Sequence, residues 1–551
     1  MSRLWRRLGW LLLGLVVLLA LGLVVEHWRG RRILAATVAD LQARGRMPDP
    51  QLLFAPPGPS NGFDRFIAAA DRLGSAYLPP SMQGVAPGRA AESFRFSTWE
   101  GRSGQIETWD TLAAWGRTNA MALDQVRHAL AQPECRPALD WRRGFQIQLS
   151  HLSQQKNAAV ALAADALLAA HEGDKEGALA NFEALQALEQ ALAREPLLIS
   201  QLVRVACAAI SSIRVWDVAQ RDDWSEADLA ALQAALPAAD LADGMVRAFE
   251  GELILWVQMI RHLRAADFRS LTAGGFVGLD DDLFLPTSLS ETGTVLELVF
   301  REFADSLKEY VFFPLWLFAW RDQSEAYHLR TMAALIAHSR EQAQRQDASL
   351  PPQREADIGK LRSSASWLDW ARYWPTYLPL PAMEKTMRRV LRSQTERALI
   401  ETGIALRRHQ LRHGRLPERL DELVPELLAS MPKDGMDGLP LRYRLNADGT
   451  GTLWSVGEDL QDNGGDPAPA NPNPTTLNWR YARDAVLPRR ADDEEFAVWE
   501  EAETARWLER QSRTSAGGTN MHPVMEKLGR RYGLLPATMN APATNVLAAA
   551  P

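Results

Sequence analysis

The polarity pattern divides the chain into three kinds of stretch. Leu8 to Val25, LGWLLLGLVVLLALGLVV, is an uncharged run of 18 residues, which as a helix rising about 1.5 Å per residue is just long enough for a hydrocarbon layer of about 30 Å. From about Ile33 to Thr386, apolar positions recur with helical spacing almost throughout. The clearest part lies between Leu149 and Leu236. There Ala158, Leu162, Ala166 and Ala169 make one stripe, Gly173-Asp174 interrupts it, and Ala178, Phe182, Leu185, Leu188 and Leu192 make the next. Pro196 opens a third helix carrying Leu198, Leu202 and Val205, and Ser225 with Asp228 forms a capping-box pattern ahead of Leu229 and Leu232. Beyond Ala405 the period changes. A helical run ends at Gly414, the alternation Leu441, Tyr443, Leu445 predicts a half-buried strand, Asn446-Ala447-Asp448-Gly449 predicts a hairpin turn, and Thr452 to Val456 predicts the partner strand.

The apolar run is expected to be an uncleaved signal anchor. A cleaved secretory signal fits its charged start, but the small pair Ala20 and Gly22 lies inside the run and Glu26-His27-Trp28 is a poor cleavage site. Trp5, Trp10 and Trp28 lie near its ends, where amphipathic rings favour the membrane interface. Arg3, Arg6 and Arg7 on one side nearly balance Arg29, Arg31 and Arg32 on the other, so charge leaves the orientation close to a tie. The expected arrangement is a short cytoplasmic tail with the bulk of the chain outside.

Among 551 residues, 46% are hydrophobic and the net charge is −7. No basic stripe follows the juxtamembrane arginines, which argues against a nucleic-acid partner. The two cysteines, Cys135 and Cys207, allow one disulfide in an oxidising compartment, but Cys207 lies in an apolar helical stretch and reads as a small buried hydrophobe. Nineteen tryptophans stand against eight tyrosines, and most are expected in the core or at the membrane interface. The predicted organisation is mainly α: a tail and transmembrane anchor (1–32), a helical domain with repeat-like hairpins (33–385), a small α+β module (386–488), and an amphipathic helix with an unstructured tail (489–551). Phe496, Trp499, Ala502 and Trp507 mark that last helix, while Pro467 to Thr476 and Pro536 to Pro551 read as unstructured.

Hard cations need several oxygen ligands, with glycines to relieve backbone crowding. Gly457, Asp459, Asp462, Gly464, Gly465 and Asp466 have that composition. The segment Leu406 to Asp466, with Arg415-Leu416-Pro417 as helix exit and Pro432-Lys433-Asp434 as the turn into the sheet, resembles the C-terminal half of the type II secretion major pseudopilin. That resemblance covers about one sixth of the chain. It implies a long helix leading into a small antiparallel sheet, and a structural calcium ion in the loop before the last strand, with Asp459, Asp462, Asp466 and Asp484 as the ligand set. The alternative is a solvated acidic turn. Two departures stand out: Leu460 occupies a position where the family has Gly, and the Pro/Asn-rich insert separates the loop from the final strand.

The Ala-rich paired helices also resemble tetratricopeptide-type hairpins, without a strict 34-residue period. The segments Cys135-Arg136-Pro137-Ala138-Leu139-Asp140-Trp141 and Glu195 to Val203 are similar to ones in a set of uncharacterised bacterial single-pass proteins, which carry no known activity. Three further features have plain explanations beside sharper ones. His409 and His413, four apart on a helix, suit a metal, but the surrounding arginines disfavour a cation. Tyr310 to Trp320 is an apolar run too short to span a membrane and is expected to be a core helix, with an interfacial element as the alternative. Asp280-Asp281-Asp282 reads as a solvated turn. No HExxH, GxSxG or phosphate-cradling glycine loop occurs.

The expectation is therefore a non-enzymatic, membrane-anchored envelope scaffold with protein partners. The alternatives are an accessory of a type II secretion or pilus-like system, and an envelope hydrolase whose acidic residues assemble only in the fold.

Overall fold

Nothing interrupts the first helix. In the computed structural model, which describes residues 2–79, 89–90, 99–100, 106–236, 240–264, 308–352, 358–363, 365–377, 380–466, 484–487 and 489–490, α1 runs from Ser2–Ala43. Its first half is bare: Leu11, Leu15 and Leu18 are 74%, 54% and 68% exposed. Its second half enters the protein, where Thr37 and Leu41 are buried and Gly30 lies so close to α10 (Arg321–Arg345) that a Cβ would meet Gln323 at 3.2 Å. The helix is long and apolar enough to cross a membrane. The expected boundary at 32/33 falls inside it, because Gly30 is used for close packing and no proline breaks the run.

The body is built of α2 (Phe63–Ala70), α3 (Trp109–Leu130), α4 (His151–Glu172), α5 (Lys175–Ala193), α6 (Leu198–Ala219), α7 (Glu226–Ala234) and α8 (Leu241–His262). Gly173, at φ 84° in the left-handed region, ends α4, and Asp174 then caps α5 by accepting the Gly177 N–H at 2.9 Å. Of the expected stripes, Ala158, Leu162 and Ala166 on α4 and Ala178, Phe182, Leu185, Leu188 and Leu192 on α5 are buried, while Ala169 is half-buried. The predicted Ser225–Asp228 capping box forms. Helices α4, α5 and α6 all touch one another. Although α6 has the length and hydropathy of a membrane span, half of its apolar window is buried in the protein, so it is a core helix.

Further along come α9 (Phe313–Ala319), then α10, α11 (Trp367–Tyr377) and α12 (Leu380–His413). Helix α10 packs on α1, α8 and α11, while α12 packs on α6, α7 and α8. The expected boundary at 385/386 lies within α12. Ile400 and Ile404 of that helix join the core of the body, and Gly403 is pressed between Trp216 and Leu487. One helix therefore serves two cores.

Gly414, at φ 72°, ends α12, and the Tyr443 hydroxyl donates to the Pro417 carbonyl at 2.9 Å, tying the exit to the sheet. Strands β1 (Arg442–Leu445) and β2 (Gly451–Ser455) are antiparallel, with Tyr443 opposite Leu453. The turn Asn446–Gly449 closes them with Gly449 at φ 81°. Strand β3 (Ala485–Val486) adds antiparallel to β2, with Val486 opposite Trp454. The alternation expected along Leu441, Tyr443 and Leu445 decays: Leu441 is buried, Tyr443 half-buried and Leu445 exposed, because Leu445 has reached the turn, beyond the Leu399, Leu406, Leu423 and Leu453 cluster. The insert 467–476, the triple aspartate at 280–282 and the expected helix beyond 490 lie outside the described residues.

Candidate functional site

The acidic bend between β2 and β3 is organised around one carboxylate. Asp484, immediately before β3, is fully buried. Its Oδ1 accepts the Asn463 N–H at 3.1 Å, and its Oδ2 accepts those of Gly465 at 2.7 Å and Asp466 at 3.1 Å. Its own N–H donates to the Asp466 carbonyl at 3.1 Å. Gly464 and Gly465, at φ 72° and 81°, turn the chain so that successive N–H groups converge, as in an anion-holding nest. Here the anion is the protein's own.

Of the other three predicted ligands, Asp462 is exposed and Asp459 and Asp466 are half-buried. Asp462 Oδ1 accepts the Trp454 indole N–H and the Gly464 N–H, each at 3.0 Å, and these bonds, the indole's first, hold its carboxyl below the ordinary range. Asp459 caps its own turn through the Gln461 N–H at 3.0 Å and takes the Asn463 side-chain amide at 3.2 Å. Asp466 contributes its carbonyl to Asp484. The four aspartates thus share one bend, in which the carboxylates of Asp459, Asp462 and Asp484 accept N–H groups, and among the described residues no group of three or more His, Cys, Asp or Glu is placed to hold a metal. In this arrangement the carboxylate oxygens of Asp484 and Asp462 face N–H donors. Leu460 adopts φ 60°, the backbone conformation that suits the Gly of the resembled family. Its side chain packs against the cluster of Val456, Met436 and Leu391, which offsets a left-handed strain of about 1–2 kcal/mol.

A second knot, which sequence reasoning passed over as a turn, centres on Asp434. This buried carboxylate accepts the N–H groups of Met436 (3.0 Å) and Val456 (2.9 Å), the Ser455 hydroxyl (2.8 Å) and Arg442 Nη1 (2.7 Å). Burial pushes its acid up despite these donors. Arg442 also binds Asp437 and lies 3.7 Å from Asp462, so one guanidinium joins the turn before β1 to the acidic bend.

In the body, the segments Cys135–Trp141 and Glu195–Val203 meet in a buried polar seam. Glu195 accepts from His151 Nε2 at 3.0 Å and from the Ser200 hydroxyl at 2.8 Å. Gln201 donates to the Leu192 and Glu195 carbonyls, both at 2.8 Å. Arg204 pairs with Glu189 at 2.9 Å, both being 1% exposed, and reaches Asp240. Cys135 lies beside Glu195, and its thiol is pushed up to about 12 by burial and then by that carboxylate. Cys207 is likewise pushed up to about 12, and both cysteines are free and buried. The disulfide alternative is not realised. The clue in the sequence was the polar series Glu195, Ser200, Gln201 and Arg204 at helical spacing within an otherwise apolar run.

Glu252 on α8 caps α6 from outside, accepting the Leu198 N–H at 3.0 Å. Burial pushes its carboxyl from 4.5 up to about 7, against the pull of that hydrogen bond. A carboxyl raised in this way keeps its proton in the folded state where the unfolded chain has lost it. Its stabilisation is complete below about pH 4.5 and is lost as the pH rises through about 7. Glu252→Gln keeps the acceptor and cannot ionise, so the Tm of the variant minus that of the wild type is expected to grow across this window and to level off above it. Parallel Tm curves across the window contradict this.

The rings of His409 and His413 lie with centroids 4.3 Å apart and 41° between their planes, and His409 Nδ1 bonds the Arg415 carbonyl. The neighbouring Arg408 and Arg412 both pair with Glu226, at 2.8 Å each, so these side chains pin α12 to α7. A small cleft lined by Gly45, Met47, Ile336 and Arg340 holds one carboxylate, Glu250, bonded to Arg340 at 2.6 Å. Compared with known proteins, the chain matches no family model, no curated protein and no solved structure.

Proposed function

We propose that the chain is a single-pass protein of the bacterial envelope that holds protein partners on its helical body, with the C-terminal αβ module as an added recognition surface. The observation carrying this reading is the continuity of α1, which passes from a bare apolar half into close packing with α10. A long helix gripped in this way transmits the position of the membrane to the body rigidly. In this reading the body lies on the extracytoplasmic side of the inner membrane. The mutual packing of α4, α5 and α6 across short connections supports tetratricopeptide-like hairpins, which commonly serve as binding scaffolds. The bend is ordered by Asp484 and its N–H donors and requires no calcium.

The test is photo-crosslinking in native membranes from Met121 on the body, and from Leu439 and Leu445 on the module, all exposed apolar side chains. A discrete adduct of defined mass is expected from at least one position; silence at all three counts against a scaffold. The order helix, β1, β2, acidic bend, β3 favours a second reading as an accessory of a type II secretion or pilus-like system. Adducts containing pseudopilins support it, and unchanged secretion in a deletion strain removes it.

A further inference from the structure

The apolar run Tyr310 to Trp320, expected to be a core helix with an interfacial element as the alternative, is buried on one side only. Phe313, Trp316 and Ala319 point inward, with the Trp316 indole donating to the Arg372 carbonyl at 3.0 Å. On the other side, Tyr310, Val311, Leu315 and Phe318 are 72%, 49%, 40% and 48% exposed, forming an apolar stripe at helical spacing.

The position of this stripe identifies what covers it. Phe318 stacks on His27 of α1 with ring centroids 4.9 Å apart and 10° between planes, and its carbonyl accepts the His27 Nδ1–H at 2.8 Å. His27 lies two residues beyond Val25, or about 3 Å along the helix axis from the end of the apolar run. The contact is locked by Gln323, which donates to the Glu26 carbonyl at 3.0 Å and carboxylate at 2.8 Å, and by Arg372, 3.4 Å from the same carboxylate. Trp28, Arg29, Arg31 and Arg32 are exposed at the same level, supplying an interfacial ring and cationic groups for anionic headgroups.

We infer that the Tyr310–Phe318 face is a second membrane contact, lying in the headgroup and upper acyl region of the leaflet from which α1 emerges, and recognising an anionic lipid surface. This rests on α1 crossing the membrane. Two contacts on rigidly joined helices fix the tilt of the body, which a single span leaves free.

The test uses the full chain in phosphatidylcholine/phosphatidylglycerol nanodiscs, one protein per disc. Nitroxide labels are placed singly at Val311→Cys, Leu315→Cys and Phe318→Cys, with Leu18→Cys on α1 and Leu411→Cys on the exposed end of α12 as references. Relaxation by oxygen and by a water-soluble nickel chelate is measured at each site. The three stripe sites are expected to favour oxygen over the chelate, intermediate between Leu18→Cys and Leu411→Cys. Stripe sites as chelate-accessible as Leu411→Cys, with Leu18→Cys protected, overturn the inference and leave the anchor standing. Chelate access at Leu18→Cys removes the anchor itself. Shielding of the stripe that is absent in single-copy discs and arises only at high protein-to-lipid ratio assigns the face to a second copy and also overturns the lipid inference.

Discussion

Arg204→Met is expected to lower the unfolding free energy by about 3–5 kcal/mol, because it leaves Glu189 charged and without its guanidinium in the core. Arg204 Nε lies 3.1 Å from Glu189 Oε1 and Nη2 2.9 Å from it, and the arginine also reaches Asp240 across the connection into α8. Gly244 makes room for it: a Cβ there would fall 2.5 Å from both Arg204 Nη1 and Gln201 Oε1. The pair thus joins α5, α6 and α8 at one point. The double variant Arg204→Met/Glu189→Leu removes both charges and is expected to recover most of the loss, since burying a pair gains little over burying apolar groups of similar size. Chemical denaturation checks both, and a double variant no better than the single one means the side chains act independently.

Asp484→Ala carries the second largest effect. It removes one buried acceptor serving three N–H groups, and a loss of about 2–4 kcal/mol follows if about half of the worth of these charge-assisted bonds is recovered by water at the partly exposed bend. Asp462→Ala and Asp459→Ala, whose carboxylates lie nearer the surface, are expected to cost about 1 kcal/mol or less each. Millimolar calcium is expected to leave the wild-type Tm unchanged. A rise of several degrees that Asp462→Ala abolishes would restore the cation to the bend and displace Asp484 as its organiser.

The helices were legible because their signals are local. The stripe ending in Leu192, the Gly173-Asp174 break and the Ser225–Asp228 box each depend on residues a few positions apart. What the sequence withheld was partnership across distance. An acidic, glycine-rich loop has the same composition whether its glycines bring carbonyls to a cation or N–H groups to an anion, so the three N–H groups that Asp484 accepts could not be read from it. Asp434 was hidden for the same reason, since three of its four donors lie on Arg442, Ser455 and Val456, well along the chain. Which face of Tyr310–Phe318 is exposed was not legible, because hydropathy does not show which side of a short apolar run meets the core, and His27, on which Phe318 stacks, stands 291 positions away.

In the proposed function, α1 carries the chain across a membrane and leaves the body on the far side. Cysteine accessibility in intact cells tests it most directly, because both native thiols are buried and raised far above neutrality and so stay silent toward maleimides. With an impermeant maleimide, Leu439→Cys on the module is expected to label in spheroplasts without permeabilisation, whereas Ser2→Cys labels only after it. Equal labelling of the two sites before permeabilisation, or of neither, contradicts a membrane-crossing α1.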